Sequence, residues 1–78
     1  MIVVLKAYAD IDFFIPGAKI GQSFEVDIPQ GAPIKAALEK LGIPSNAYGF
    51  FLNGRYATED KILNPNDLVY LLEAISGG

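Results

Sequence analysis

The sequence predicts an α+β fold: a mixed sheet of four to five strands with one main helix packed on one face. Three observations predict it. Five short segments of the 78-residue chain carry the alternation or the β-branched, apolar runs of strands, each bounded by turn residues. Only one segment, "PIKAALEKL", repeats its apolar residues at helical spacing. The order is strand, strand, helix, strand, short strand, strand, and two hairpins around a single helix pack most economically with that helix laid across one sheet.

The first segment, "IVVLKAY" from Ile2 to Tyr8, is β-branched and apolar at nearly every position, as an interior strand would be. "ADIDFFIPGAKIG" follows, with two acids, the Pro16-Gly17 pair and Gly21, and reads as a long irregular connection. "QSFEVDI" alternates, Phe24, Val26 and Ile28 on one face against Ser23, Glu25 and Asp27 on the other, which is a strand with one wet face. From Pro33 to Leu41, Ile34, Ala37, Leu38 and Leu41 fall at i, i+3, i+4 and i+7, while Lys35, Glu39 and Lys40 lie off that stripe. Pro33 in the first turn and Gly42 just past the end suit the two termini. Ala32, the expected N-cap, offers no side-chain acceptor, so the start is expected to fray or be capped by water. "YGFFLN" is a third strand, apolar on both faces. Asn53-Gly54 is a hairpin turn into a short "RYA". Thr58 to Leu63 suggests a single turn begun by a threonine cap, "NPND" another turn, and "LVYLLEAI" the last strand.

One short helix cannot cover both sides of this sheet, although several strands are apolar on both. If Lys6 marks the outer face, Ile2, Val4 and Tyr8 share it. On the last strand either Leu68, Tyr70 and Leu72 or Val69 and Leu71 must face outward, and the pattern does not choose. An apolar sheet face without a cover is an expected protein interface. Of Tyr48, Phe50, Phe51 and Leu52, most belong to the core and half are candidates for the open face.

Composition narrows the function. Hydrophobic residues make up 51% of the chain and the mean hydropathy is +0.31, rich for a domain that covers only roughly 60–65% of its unfolded surface. No uncharged apolar run reaches the length of a membrane span, and the first ten residues lack the basic lead of a signal peptide, so a cytoplasmic protein with no membrane partner is expected. The chain has no cysteine and no histidine, which removes thiolate nucleophiles, imidazole bases and the usual zinc ligands. Net charge is −3 with six scattered cations, so nucleic acid is not an expected partner. Asp10 and Asp12 have no third ligand nearby and fit a polar loop better than a metal site. Phe13-Phe14-Ile15 should divide between plugging the core and being held out. Arg55, after the hairpin turn, is either a solvated arginine or a contact for an acidic partner surface.

The chain closes on "EAISGG", expected to be a domain of residues 1–74 and a slender tail over 75–78. Chance alone would end about one chain in 200 on two glycines. Together with "VDIPQGAPIKAALEKLGI", "LNG" and "NPNDLVYLL", this end resembles the small sulfur carriers of molybdopterin and thiamine biosynthesis (MoaD/ThiS type), whose fold is the ubiquitin-like β-grasp. The resemblance covers nearly the whole chain. It departs at Ala9 to Gly21, long for the tight first hairpin of the thiamine type and unlike the often helical segment of the molybdopterin type, and so the pathway stays open.

The resemblance implies that an E1-like enzyme, using ATP, adenylates the carboxylate of Gly78, and that a sulfur donor then converts it to a thiocarboxylate. A sulfur-accepting synthase subunit would receive the sulfur. The chain itself would be a carrier and not an enzyme, with no cofactor or metal of its own. Gly77 would keep the tail slender, because a residue without Cβ has the smallest cross-section and the widest choice of backbone angles. Tyr70, Leu72, Phe51, Ile75 and Arg55 are the candidate partner contacts. Two alternatives share parts of this scheme: a ubiquitin-like modifier that uses the activated glycine to acylate a lysine, and a non-covalent interaction module whose tail is inert.

Overall fold

The computed structural model describes residues 1–73. Its elements are β1 (Ile2–Ala7), β2 (Ser23–Asp27), α1 (Ile34–Leu41), β3 (Tyr48–Leu52), β4 (Arg55–Ala57) and β5 (Leu68–Glu73). They form one mixed sheet in the order β2-β1-β5-β3-β4. Only the central pair, β1 with β5, is parallel; every other pair is antiparallel. The fold is the expected α+β arrangement with α1 on one face.

The side-chain parity of each strand sets the core. Val3, Leu5 and Ala7 of β1, Val26 of β2, Tyr48, Phe50 and Leu52 of β3, and Val69 and Leu71 of β5 all point to the helix side and are buried. Ile34, Ala37 and Leu38 of α1 close over them, each fully buried. Burial of a side chain this size is worth about 1.5–3 kcal/mol. The helix is too short to reach the far end of the sheet, and the long connection after β1 completes the cover. Ala9 and Ile11 are buried there, Phe14 and Ile15 pack partly against the same core, and Phe13 is 87% exposed. Phe13-Phe14-Ile15 thus divides as expected.

Two expectations need correction. The N-cap of α1 is Pro33 in an extended conformation, not Ala32, and its first amides are neither frayed nor left to water. Ile34 N–H donates to the Lys61 carbonyl at 2.9 Å, Lys35 N–H to the Glu59 carbonyl at 3.0 Å, and Leu63 N–H to the Ala32 carbonyl at 2.9 Å. Backbone carbonyls from another segment replace the missing side-chain cap. That segment is the second correction. Residues 58–63 turn once, through Lys61 N–H to the Thr58 carbonyl, then run extended as a strap bridging Ile62 to Pro33, and Leu63 beneath it is 1% exposed. The C-terminus of α1 is as expected: Gly42 at φ 73° takes the left-handed conformation and donates back to Glu39.

Asn53 (φ 53°) and Gly54 (φ 80°) are both left-handed, as a two-residue hairpin turn matched to the strand twist requires. That turn fixes the register Leu52 to Arg55, Phe51 to Tyr56 and Phe50 to Ala57. Among the described residues, no helix is long and apolar enough to cross a membrane.

Candidate functional site

The face of the sheet opposite α1 carries the other parity of every strand. From β5 it receives Leu68, Tyr70 and Leu72, which settles the choice left open by the sequence. Their strand neighbours set this: Val4 lies beside Leu68 and Lys6 beside Tyr70 in the parallel pair, so the face marked by Lys6 is the face of Tyr70. Ile2, Val4 and Tyr8 share it as expected.

Four aromatic rings run across this face from the β4 edge toward the end of β1. Tyr56 packs edge-on against Phe51 with centroids 5.3 Å apart. Phe51 lies stacked with Tyr70 at 6.4 Å, and Tyr70 tilts against Tyr8 at 5.1 Å. The Lys6 ammonium sits 5.5 Å from the Tyr8 ring centroid, a cation–π contact worth about 0.5–1 kcal/mol where solvent reaches it. Ring pairs of this kind add about 0.5–1.5 kcal/mol beyond the area they bury and hold one another in fixed orientations. The band is therefore a continuous aromatic surface left open to water. Tyr56 is 75% exposed, Tyr8 48%, and Ile2 and Leu68 extend the patch along its side. Ser23, Glu25 and Asp27 of β2 form a polar, acidic margin.

At the far end of the sheet, β1 and β5 finish side by side because they are parallel. Tyr8 N–H donates to the Leu71 carbonyl at 2.9 Å, and Glu73 lies opposite Tyr48. Tyr48 locks the long connection to this end: its hydroxyl donates to the Asp10 carbonyl at 2.6 Å, and Phe14 packs edge-on against its ring at 6.0 Å. Burial, and after it the carboxylates of Asp10 and Glu73, hold the Tyr48 phenol above its ordinary pKa of 10.0. Asp10 and Asp12 cap the connection from within. Asp10 accepts from Asp12 N–H at 3.0 Å and Asp12 from Gly17 N–H at 2.7 Å, a structural use in line with the polar-loop expectation. Beside Leu72 on the outer face stands Gly49, which adds no side chain and leaves the surface low just before β5 ends.

Of the candidate contacts, Phe51, Tyr70 and Leu72 are brought together on the open face. Arg55 is not with them: its partner Leu52 points inward, so Arg55 projects from the helix side of the β4 edge. Ile75, Gly77 and Gly78, with the expected boundary between domain and tail, lie outside the described residues. Tyr56 was missed by the sequence reading, although the two-residue Asn53-Gly54 turn alone implies that it faces Phe51. No group of three or more metal-ligating side chains occurs among the described residues. What the arrangement offers is an open aromatic face that runs to the end of the central strand.

Residues 15–78 match the sequence profile of the ThiS family. No curated protein matches the chain. Among solved structures, SAMP1 from Haloferax volcanii superposes with a TM-score of 0.72 at 19% identity, covering 100% of this chain and 100% of that one. A second structure, of the small archaeal modifier protein 1 of H. volcanii, gives 0.71 at 17% identity over 95% of this chain and 98% of that one. A Pyrococcus furiosus protein assigned as molybdopterin converting factor subunit 1 gives 0.70 at 18% identity over 95% and 98%. At these identities the likeness is one of fold, the ubiquitin-like β-grasp.

Proposed function

The chain belongs to the ThiS family, and from that membership we propose that it is a cytoplasmic sulfur carrier whose Gly78 carboxylate is activated by an E1-like adenylating enzyme. The carrying observation is that the family match continues through Gly77 and Gly78. The aromatic face supports the reading, since an open apolar sheet face beside the strand that leads to those glycines suits a chain that must dock before its end can react.

In this scheme a carboxylate oxygen of Gly78 attacks the α-phosphorus of ATP and pyrophosphate leaves. Sulfur at the oxidation level of sulfide then adds to the acyl carbon, and AMP leaves with the former carboxylate oxygen. The product is a thiocarboxylate, formed without net oxidation or reduction, and a synthase subunit accepts its sulfur. The chain supplies the acyl group and the docking surface, while the nucleotide site and the sulfur-delivering nucleophile belong to the partners. Molybdopterin and thiamine pathways both fit this chemistry.

A modifier function shares the first step, with a lysine amine taking the place of sulfur, and the full-length likeness in fold to SAMP1 favours it as the second reading. Enzyme-dependent exchange of labelled pyrophosphate into ATP tests the common step. The carrier reading predicts exchange that requires this chain and disappears when Gly78 is deleted. Exchange indifferent to Gly78, or absent with an enzyme shown active on another carrier, would leave a non-covalent module.

A further inference from the structure

On the helix side of the β4 edge lies a half-open cavity of about 450 Å³, between the Asn53-Gly54 turn and the 58–61 turn. Arg55 and Lys61 line it together with Asn53, Thr58 and Asp60. The nearby Lys35 is already paired with the Asp60 carboxylate at 3.2 Å. Arg55 and Lys61 have no ion-pair partner among the described residues. Two of the six cations of a chain with net charge −3 thus line one concavity, in which the single carboxylate, Asp60, is already paired with Lys35 and whose walls also carry an amide and a hydroxyl. Such a lining recognises an oxyanion.

Its position says where the oxyanion comes from. Tyr56 lines the cavity and also begins the aromatic band through its contact with Phe51. The cavity therefore continues the docking face around the β4 edge. The Asp60 carboxylate in its wall disfavours a multiply charged free anion such as phosphate, whereas a single carboxylate carried on a protein already held at Tyr56 needs only one cationic fork. We propose that this cavity receives an acidic side chain, Asp or Glu, of the adenylating partner, and that Arg55 and Lys61 set the orientation in which that partner sits on the aromatic face. The proposal rests on the carrier reading above.

Both cations are exposed, so reversing their charge should leave the fold intact, and each variant's melting curve checks this. Affinity for the adenylating enzyme is measured for the native chain, Arg55→Glu, Lys61→Glu and the control Lys19→Glu, at low and high salt. Each reversal at the cavity is expected to weaken binding by about three- to tenfold and to flatten its salt dependence, with Lys19→Glu close to native. Reversals that act no more strongly than the control overturn the proposal and leave the carrier reading standing, whereas a native chain that does not bind the enzyme removes both. Inorganic phosphate, titrated into the isolated chain and followed by amide shifts at Arg55 and Lys61, should give no saturable response. Saturation would identify a free-anion site and overturn the assignment to a partner carboxylate.

Discussion

Tyr48 shows how much a single residue holds together here. Its hydroxyl reaches the Asp10 carbonyl, 38 positions earlier in the chain, and its ring faces Phe14, so it fastens the long connection to the end of β3. Replacing it with Phe keeps the ring and removes the hydrogen bond. The expected cost is about 0.5–1.5 kcal/mol, read as a lower melting temperature at roughly 4–8 °C per kcal/mol for a domain of this size. The pH dependence is also set. Because the folded phenol titrates above its ordinary value of 10.0, its contribution is complete below that pH and is lost as pH rises from there through the folded pKa. Tyr48→Phe should lessen the alkaline fall in stability, and a variant as alkali-sensitive as the native chain would contradict this. Gly78→Ala is the complementary case: it should abolish activation while leaving the melting temperature within scatter. Sequence alone placed Tyr48 among four strand residues divided between the core and the open face. Its hydrogen bond joins segments far apart in the chain, and no local pattern records such a pairing.

At the scale of elements, the start of α1 and the strap over 59–63 form one unit. The strap carbonyls accept the Ile34 and Lys35 amides, and Leu63 is buried below them. Leu63→Ala is expected to cost about 2–5 kcal/mol through lost burial and the cavity left behind. Hydrogen exchange at Ile34 and Lys35 should then accelerate more than at the C-terminal turn of α1. Equal acceleration along the helix would mean that the strap and the helix start are not coupled. The helix itself was legible, because its apolar spacing is local and four residues satisfied it. The cap was not, because it comes from backbone 24 and 27 positions away, Glu59 for Lys35 and Lys61 for Ile34, and leaves no residue-type signature. For the same reason Thr58 to Leu63 resembled an independent turn, since turn residues look alike whether a helix or a bridge follows.

Across the whole molecule, the two faces of β5 separate folding from recognition. Leu71 is fully buried and Tyr70 lies in the aromatic band. Leu71→Asp should unfold the domain by placing an unpaired charge in the core. Tyr70→Asp should leave it folded, with a native-like melting transition, and weaken docking of the adenylating enzyme. Affinity unchanged by Tyr70→Asp would move the interface off this face. The outward set on β1 could be read from Lys6, but β5 offered two apolar sets, and its one charge, Glu73 at the strand's end, shares the parity of the buried Val69 and Leu71 and so gave no guide. Only its register beside β1 decided between them.

The measurement that tests the central claim most directly is the intact mass of the chain after incubation with ATP, a sulfur source and its E1-like enzyme, beside a copy lacking Gly78. The carrier account predicts that one oxygen is replaced by sulfur in the full-length chain and in that chain alone. An unchanged mass, with the enzyme shown active on another carrier, would contradict it.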